Sequence, residues 1–149
     1  MMIEIREFVN HPIQLIEVEM VSCNLKKNTE NFDGNKIDNT IVKLKAWGEL
    51  SESEKNVGYT YLNIKIDFEE ENKPFFIDVI YRGKCVLDNM IDDDVKYERF
   101  LEAQGLKLLW PYLRVAITDM MIKMDIEPIK LPTIDVLKTM DKSNRMDKE

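Results

Sequence analysis

The side chains that usually carry out catalysis or bind metals are few and widely spaced in this chain of 149 residues. His11 is the single histidine, and the two cysteines, Cys23 and Cys85, stand far apart in the sequence. One histidine forms neither a zinc site nor a catalytic triad, and isolated cysteines in a reducing compartment are usually reduced and buried. We therefore interpret His11 as a structural or solvent-exposed residue and both cysteines as small hydrophobic residues.

The run Asp92-Asp93-Asp94 has two interpretations. Carboxylates stabilise the positive N-terminal end of a helix, and a cluster of them can also bind a cation. A calcium loop needs a glycine and a bidentate acidic residue at fixed offsets, and neither follows here. We favour a helix start or a solvated loop, and since no phosphate-binding or nucleophile motif is present either, we predict no enzyme, metal or cofactor.

Composition and charge favour a soluble, cytoplasmic protein of one domain. Hydrophobic residues make up 44% of the chain and charged residues 33%, as in ordinary globular proteins. No apolar run approaches the length of about 20 residues that crosses a bilayer, and the start of the chain lacks a signal sequence. The net charge of -7 argues against a nucleic-acid partner. It would attract basic segments of a partner polypeptide or would serve solubility alone.

The first two thirds of the chain predict β-strands. Asn24 to Asp38 is polar and predicts a loop, and the links between later strands are short, which favours antiparallel pairing. Apolar and polar residues alternate with a period of two in several runs, as in half-buried strands. The alternating or β-branched runs are Ile13 to Val21, Val42 to Ala46, Leu62 to Phe68 and Phe75 to Tyr81.

The last third predicts a helix with two apolar stripes. Trp110-Pro111-Tyr112 opens a helical run that Pro128 and Pro132 would break, and Thr133 would cap a short final helix. One stripe contains Leu109, Leu113, Ala116, Ile117, Met120 and Met124, and the other contains Leu108, Tyr112, Val115 and Ile122. A helix that is apolar on two sides needs two burial surfaces. The second surface is either another helix of the chain or a partner subunit.

Several of these segments resemble the SecB-type protein-export chaperones in their order and spacing. Leu109 to Arg114 is similar to the family's Leu-Phe-Pro-Tyr-Ala-Arg, and Ile117 to Met120 is similar to its Ile-Thr-Ser-Met. Leu131 to Leu137 is similar to its Ala-Pro-Val-Asn-Phe-Asp-Ala-Leu, one residue shorter. Tyr59 to Asp67 and Phe76 to Leu87 look like the family's third and fourth strands.

The resemblance implies an α+β fold, with a long helix and a short C-terminal helix on one side of a four-stranded antiparallel sheet. It also implies a tetramer built as a dimer of dimers and an apolar groove for extended, unfolded polypeptides. The matching groove positions are Val42, Leu44, Ala46, Trp110, Tyr112, Ile134 and Leu137. Each of them could equally belong to the core, because apolar stripes usually do.

One departure concerns the translocation ATPase, SecA, on which the family's export chaperones dock through acidic residues of the sheet surface. Here the matching part of the first strand reads Cys23 to Lys27, and Val79 stands at the acidic position of the fourth strand. Carboxylates supply the charge-assisted contacts of such a dock. We therefore expect weak binding to this ATPase or none.

The sequence thus predicts a cytoplasmic SecB-like holdase for unfolded polypeptides, acting in export or on a toxin–antitoxin client. Residues 1–141 would form the chaperone domain and residues 142–149 a charged flexible tail. An oligomeric adaptor for one folded partner and a small enzyme with an unrecognised site are the two alternatives.

Overall fold

The computed structural model describes residues 1–30, 40–69, 73–87, 94–135, 138, 139 and 142, without the side chains of residues 94 and 95. Four strands, β1 (Ile13–Lys27), β2 (Thr40–Leu50), β3 (Val57–Phe68) and β4 (Phe75–Leu87), precede one long helix, α1 (Asp94–Lys123). The strands form one antiparallel sheet in the order β1-β4-β3-β2. This arrangement confirms the predicted α+β fold with a four-stranded antiparallel sheet and a long helix.

The alternation of side chains decides which face of the sheet the helix covers. On β3, Leu62, Ile64 and Ile66 are fully buried beneath α1, whereas Lys65 points to the opposite face and is exposed. Successive side chains of a strand point to opposite faces, so the apolar set at every second position must lie on one side. That side becomes the core, and the other side becomes a charged, helix-free face.

Strand β1 is longer than the sequence predicted. Its pairing with β4 continues through Leu25 opposite Ile77 and Lys27 opposite Phe75, so residues 24–27 are not part of a loop. The alternation of Cys23 and Leu25 with polar Asn24 and Lys26 keeps the apolar side chains on the helix-covered face. Residues 31–39 of the predicted loop lie outside the described residues.

Helix α1 begins at Asp94, so Trp110-Pro111-Tyr112 lies inside the helix and not at its entrance. A proline inside a helix removes one backbone hydrogen bond, here to the carbonyl of Lys107. Both Pro111 and Lys107 are exposed, so water can reach this carbonyl. The helix therefore continues past the proline, and the prediction that the motif opens the helix is wrong.

A Schellman motif ends α1 before either of the prolines that were predicted to break it. Asp125 adopts the left-handed conformation, with a φ of 56°. Among the other described non-glycine residues, Asn56, with a φ of 64°, is the one that shares this conformation. The N–H of Asp125 donates to the carbonyl of Ile122 (3.0 Å), and the N–H of Ile126 donates to that of Met121 (2.9 Å). Residues 126–135, which we call the return segment, then run back beside the helix.

Close contact between α1 and the sheet depends on small residues. A Cβ atom on Gly105 would lie 2.2 Å from Oγ1 of Thr60, and one on Gly48 would lie 2.6 Å from Cβ of Leu101. The buried hydroxyl of Thr60 donates to the carbonyl of Leu101 (2.6 Å), and this hydrogen bond joins β3 directly to the backbone of α1. The glycines and this hydrogen bond fix where the helix crosses the sheet.

The beginning of the predicted final helix differs in detail from the prediction. Asp135, and not Thr133, accepts the capping hydrogen bonds: the N–H of Lys138 donates to its Oδ1 (3.0 Å) and that of Thr139 to its carbonyl (2.9 Å). Residues 138, 139 and 142 are helical. Residues 136, 137, 140, 141 and the predicted tail from 143 lie outside the described residues.

We expect Gly105→Ala to lower the free energy of unfolding, although alanine favours helices over glycine by about 1 kcal/mol. Forcing a methyl group against Thr60 costs about 1–3 kcal/mol, which exceeds that gain. Urea unfolding measures the effect, with the exposed helix substitution Lys107→Ala as the control. The double variant Gly105→Ala with Thr60→Ala should lose less than the two single losses combined. A stabilised Gly105→Ala protein would contradict this account of the helix crossing.

Candidate functional site

Three large apolar side chains are exposed along the outer face of α1. Tyr112 is 50% exposed, Val115 72% and Ile122 60%, whereas Leu113 and Ile117 on the opposite side are fully buried. Their spacing places the three on the solvent side of a helix with 3.6 residues per turn. Contiguous exposed apolar surface on a folded chain usually marks a place of contact with another molecule. We call these three residues the helix ridge.

A hollow of about 740 Å³ lies on the side of the ridge that faces β1 and β4. Met20 of β1 and Tyr81 of β4 line it from the sheet, and Tyr112 lines it from the helix. Burial raises the pKa of the Tyr81 hydroxyl, so this group stays neutral and the hollow is mostly apolar. The remaining lining residues are Pro111, Val115, Ala116, Asp119, Met120 and Lys123. We call this space the β1-side hollow.

A larger groove, of about 1110 Å³, lies on the other side of the ridge, between α1 and the return segment. Its apolar lining comes from Pro111, Val115 and Ile122 of the helix and from Pro128, Ile129, Leu131 and Pro132 of the return segment. Arg114, Asp119, Glu127 and Lys130 add charges of both signs, and Thr118 and Thr133 complete the lining. We call this space the return groove.

Trp110 holds the return segment in place and does not line an open groove. Its side chain is only 5% exposed, and its Nε1–H donates to the carbonyl of Pro132 (3.0 Å). It packs in the same core cluster as Ile126 and Leu131 of the return segment. The prediction that Trp110 faces an accessible groove is therefore wrong, because the returning chain covers the indole and accepts its one hydrogen bond.

The other predicted groove residues lie apart from Tyr112. Val42 and Leu44 are exposed on β2, and Ala46 and Ile134 pack partly buried against the core. β2 forms the edge of the sheet opposite β1, at a distance of three strand spacings of about 4.8 Å each. The structure therefore does not gather Val42, Leu44 and Tyr112 into one patch. Leu137 lies outside the described residues.

The sequence interpretation did not assign Met20, Tyr81, Pro128 or Ile129 to a binding surface, although the structure places them beside the helix ridge. Met20 comes from the first strand and Pro128 from the return segment, so only the fold brings them together. Val115 and Ile122 were recognised as a second stripe of the helix. That stripe was the one sequence signal that pointed to this surface.

His11 has the structural role inferred for it and Cys85 is buried as expected, whereas the exposure of Cys23 contradicts its interpretation as a buried residue. Ile13 N–H donates to Nδ1 of His11 (3.1 Å), and the imidazole packs against Phe100 with ring centroids 5.3 Å apart. Burial raises the pKa of the Cys85 thiol to about 11, which disfavours the nucleophilic thiolate, whereas Cys23 is exposed. Among the described residues, no group of three or more His, Cys, Asp or Glu side chains could hold a metal ion.

The helix-free face of the sheet carries aromatic rings and paired charges. Trp47 stacks on Tyr61 with ring centroids 5.0 Å apart, Arg82 lies 4.9 Å above the ring of Tyr59, and the same guanidinium pairs with Glu19. Lys26 is exposed on this face, opposite Phe76. Val79, in contrast, is fully buried under the helix. The expectation that Val79 stands on the sheet surface in place of an acidic docking residue is therefore wrong.

Comparison with known proteins gives a similarity of fold. No family model matches the sequence, and no curated protein matches it. A solved structure that the chain resembles is the Mycobacterium tuberculosis SecB-like chaperone Rv1957, in complex with a ChAD peptide from the antitoxin HigA1. The TM-score is 0.64 at 8% identity, over 83% of this chain and 88% of that chain. The fold is therefore SecB-like, as the sequence segments predicted.

A second similar structure is a protein of unknown function from Streptococcus agalactiae, with a TM-score of 0.47 and 12% identity. The match covers 81% of this chain and 97% of that chain.

None of the described helical residues forms a stretch both long and apolar enough to pass through a lipid bilayer.

We expect Trp110→Ala and Tyr112→Ala to differ sharply in stability. Removing the buried indole should lower the free energy of unfolding by about 3–5 kcal/mol, because it leaves a cavity. Removing the half-exposed Tyr112 should cost about 1 kcal/mol or less. Trp110→Phe, which keeps a ring but loses the hydrogen bond to Pro132, should fall between them. Denaturant unfolding of the three variants decides the matter, and equal losses for Trp110→Ala and Tyr112→Ala would refute the assignment.

Proposed function

We propose that this protein is a SecB-like holdase, which binds unfolded or non-native polypeptides and keeps them from aggregating. The observation that carries the proposal is the exposed helix ridge with an apolar depression on each side, on a SecB-like fold. Its clients would be preproteins awaiting export or an antitoxin of a toxin–antitoxin pair. We place it in the cytoplasm and assign it no catalytic role.

Apolar surface of this kind suits clients of varied sequence. Apolar contacts are not directional, so a segment needs only exposed hydrophobic side chains to bind. Met20 and Met120 line the β1-side hollow, and the flexible thioether side chain can repack around different partners. A folded client has buried its own hydrophobic residues and offers little to such a surface. Selectivity for non-native chains therefore follows from the chemistry of the ridge.

The edge strand β2 supplies a second proposed contact for an extended client. Val42 and Leu44 expose apolar side chains on the helix-covered side of this edge, which pairs with β3 on its other side. An extended polypeptide can add to a free sheet edge through main-chain hydrogen bonds, which do not depend on sequence. A client could thus bind at two separated places, the ridge with Tyr112 and the β2 edge with Val42 and Leu44.

An adaptor that binds one folded partner is the alternative. The charges around the return groove, such as Arg114, Asp119, Glu127 and Lys130, favour it, because charges of both signs can select one complementary surface. A holdase should suppress the aggregation of several unrelated unfolded proteins, whereas an adaptor should suppress none and retain a single partner. Weak binding to the ATPase SecA, or none, stays a prediction that calorimetry at physiological salt would test.

We expect Val115→Asp and Ile122→Asp each to weaken the binding of an unfolded client at least tenfold. Each loses the burial of a large apolar side chain, about 1.5–3 kcal/mol, and tenfold corresponds to about 1.4 kcal/mol. Both positions are exposed, so the fold should remain intact. Titration with a permanently unfolded, fluorescently labelled protein measures the affinity.

Thr29→Asp is the matched control for these variants, because it adds the same charge at an exposed residue that lines neither depression. It should leave the affinity unchanged. If all three variants bind the client as the unsubstituted protein does, the ridge is not the binding surface.

We also propose that the chain forms a homo-oligomer. The stripe of α1 from which an oligomer was predicted is assigned above to clients, so the subunit contact needs another surface. β1 is an edge strand with Ile16 and Val21 exposed. Ile16 and Val21 lie at its two register shifts. An edge strand that runs antiparallel to its own copy makes a self-complementary contact around a two-fold axis. The predicted tetramer would be two such dimers.

Light scattering at micromolar concentration should therefore give a multiple of the 17.6 kDa chain mass. The double variant Ile16→Asp with Val21→Asp should shift the mass toward one chain, because it places carboxylates in the proposed contact. A single-chain mass for the unsubstituted protein would end the oligomer proposal.

A further inference from the structure

The segment before β1, residues 1–10, contains more exposed large apolar residues than any other ten-residue stretch that the structure describes. Met1, Met2, Ile3, Ile5, Phe8 and Val9 are each at least 68% exposed. No strand or helix includes this segment, and its ion pair joins Arg6 to Glu4 within the segment itself. We call residues 1–10 the arm. Six large apolar residues in so short a span have the composition of the clients proposed above.

The arm is held at its root beside the helix. The imidazole of His11 packs against Phe100 of α1, and Gln14 Nε2 donates to the carbonyl of His11 (2.7 Å). The arm therefore leaves the folded domain at a fixed point on the helix, near its N-terminal end. Residues 1–10 can reach only the space within their own extended length of that point.

Ten residues are enough to reach the end of the ridge from this root. Ten extended residues span about 33 Å at 3.3 Å per residue. From Phe100 to Ile122 the helix rises by about 33 Å at 1.5 Å per residue. On a helix with 3.6 residues per turn, Phe100, Pro111, Val115 and Ile122 fall within a stripe about 60° wide. An extended arm can therefore run from its root along this face to the last residue of the ridge.

We propose that the arm lies along the outer face of α1 in its own chain, with its apolar side chains over the helix ridge and in the return groove, until a client displaces it. The inference rests on the proposed function, because it assigns the client surface a built-in competitor. The exposed arm seen in the structure corresponds to the open state. In the closed state its apolar residues leave water and cover the exposed residues of the ridge.

Charge adds to the match between arm and groove. In an extended arm Glu4 lies about 23 Å from His11, and Arg114 lies about 21 Å along the helix from Phe100. Arg114 lines the return groove, so the carboxylate of Glu4 would reach its guanidinium. In the structure Glu4 pairs with Arg6, and closure would exchange this exposed local pair for one across the groove.

The arm would lower the apparent affinity for clients without changing the surface that binds them. An arm that covers the ridge for about nine tenths of the time lowers the apparent affinity about tenfold, because only the open fraction can bind. Ile5→Asp, at a position 68% exposed that an extended arm places about 20 Å from the root and so over the ridge, should release the arm without disturbing the core and tighten client binding up to about tenfold. Asn10→Asp adds the same charge to the arm without removing an apolar side chain, and should change nothing.

A disulfide tests the position of the arm without any client. In the Cys23→Ser background, Ile3→Cys lies about 26 Å from the root and Thr118→Cys about 27 Å along the helix. Cys85 is buried and will not compete. Mild oxidation of the full-length protein should link these two thiols within one chain, as non-reducing electrophoresis and mass spectrometry would show. Ile5→Asp should suppress the link, and Asn10→Asp should not.

Absence of the disulfide, or a disulfide that joins two chains, would overturn the proposal, since it requires the arm to close on its own helix. Equal linking in the Ile5→Asp protein would overturn it as well, because apolar contact would then not hold the arm. If the link forms within the chain but no unfolded protein binds, the contact of arm and helix stands and the holdase function fails. If clients bind and the link does not form, the holdase function stands and this inference fails.

Discussion

The packing of one long helix on a four-stranded sheet is the constraint on which the rest of this structure depends. Helix α1 has 30 residues, and the sheet can cover only one side of it. Close approach at Gly105, together with the hydrogen bond from Thr60 to the carbonyl of Leu101, fixes the rotation of the helix. With that rotation set, Leu113 and Ile117 are buried, and Val115 and Ile122 must face outward.

The outward side of the helix would be an ordinary polar surface if its residues were charged. Instead it bears three large apolar side chains. The return segment lies beside them, so that a groove forms between it and the helix. Trp110 is central to this arrangement, because its indole is buried between helix and return segment and donates to the carbonyl of Pro132. Trp110, which was predicted to bind polypeptides, thus holds the return segment that forms one side of the return groove. Tyr112 provides the accessible aromatic ring.

Much of the fold could be predicted from the sequence because it follows local periodicity. The alternation on β3 and β4 predicted the sheet, and the two stripes predicted a helix with an uncovered side. The acidic run Asp92-Asp93-Asp94 indicated a possible helix start, and α1 begins at Asp94. The burial of Trp110 and Val79 could not be read from periodicity. A proline in the sequence suggests the start of a helix, and only the exposure of the helical turn at Pro111 shows that the helix can continue through it. The burial of Trp110 depends on the return segment, whose Pro132 lies 22 residues later in the sequence. The separation of Val42 from Tyr112 follows from strand order, which alternation does not reveal.

Methyl-resolved NMR of the protein with an unfolded, unlabelled client tests the central claim most directly. The helix ridge, as the binding surface, predicts that the methyl signals of Val115, Ile122 and Ile129 shift or broaden on titration. The methyl signals of the buried Ile64 should stay in place, as should those of Ile80 on the helix-free face. Changes confined to the helix-free face, with the signals of Val115 and Ile122 unaltered at saturating client, would contradict the account.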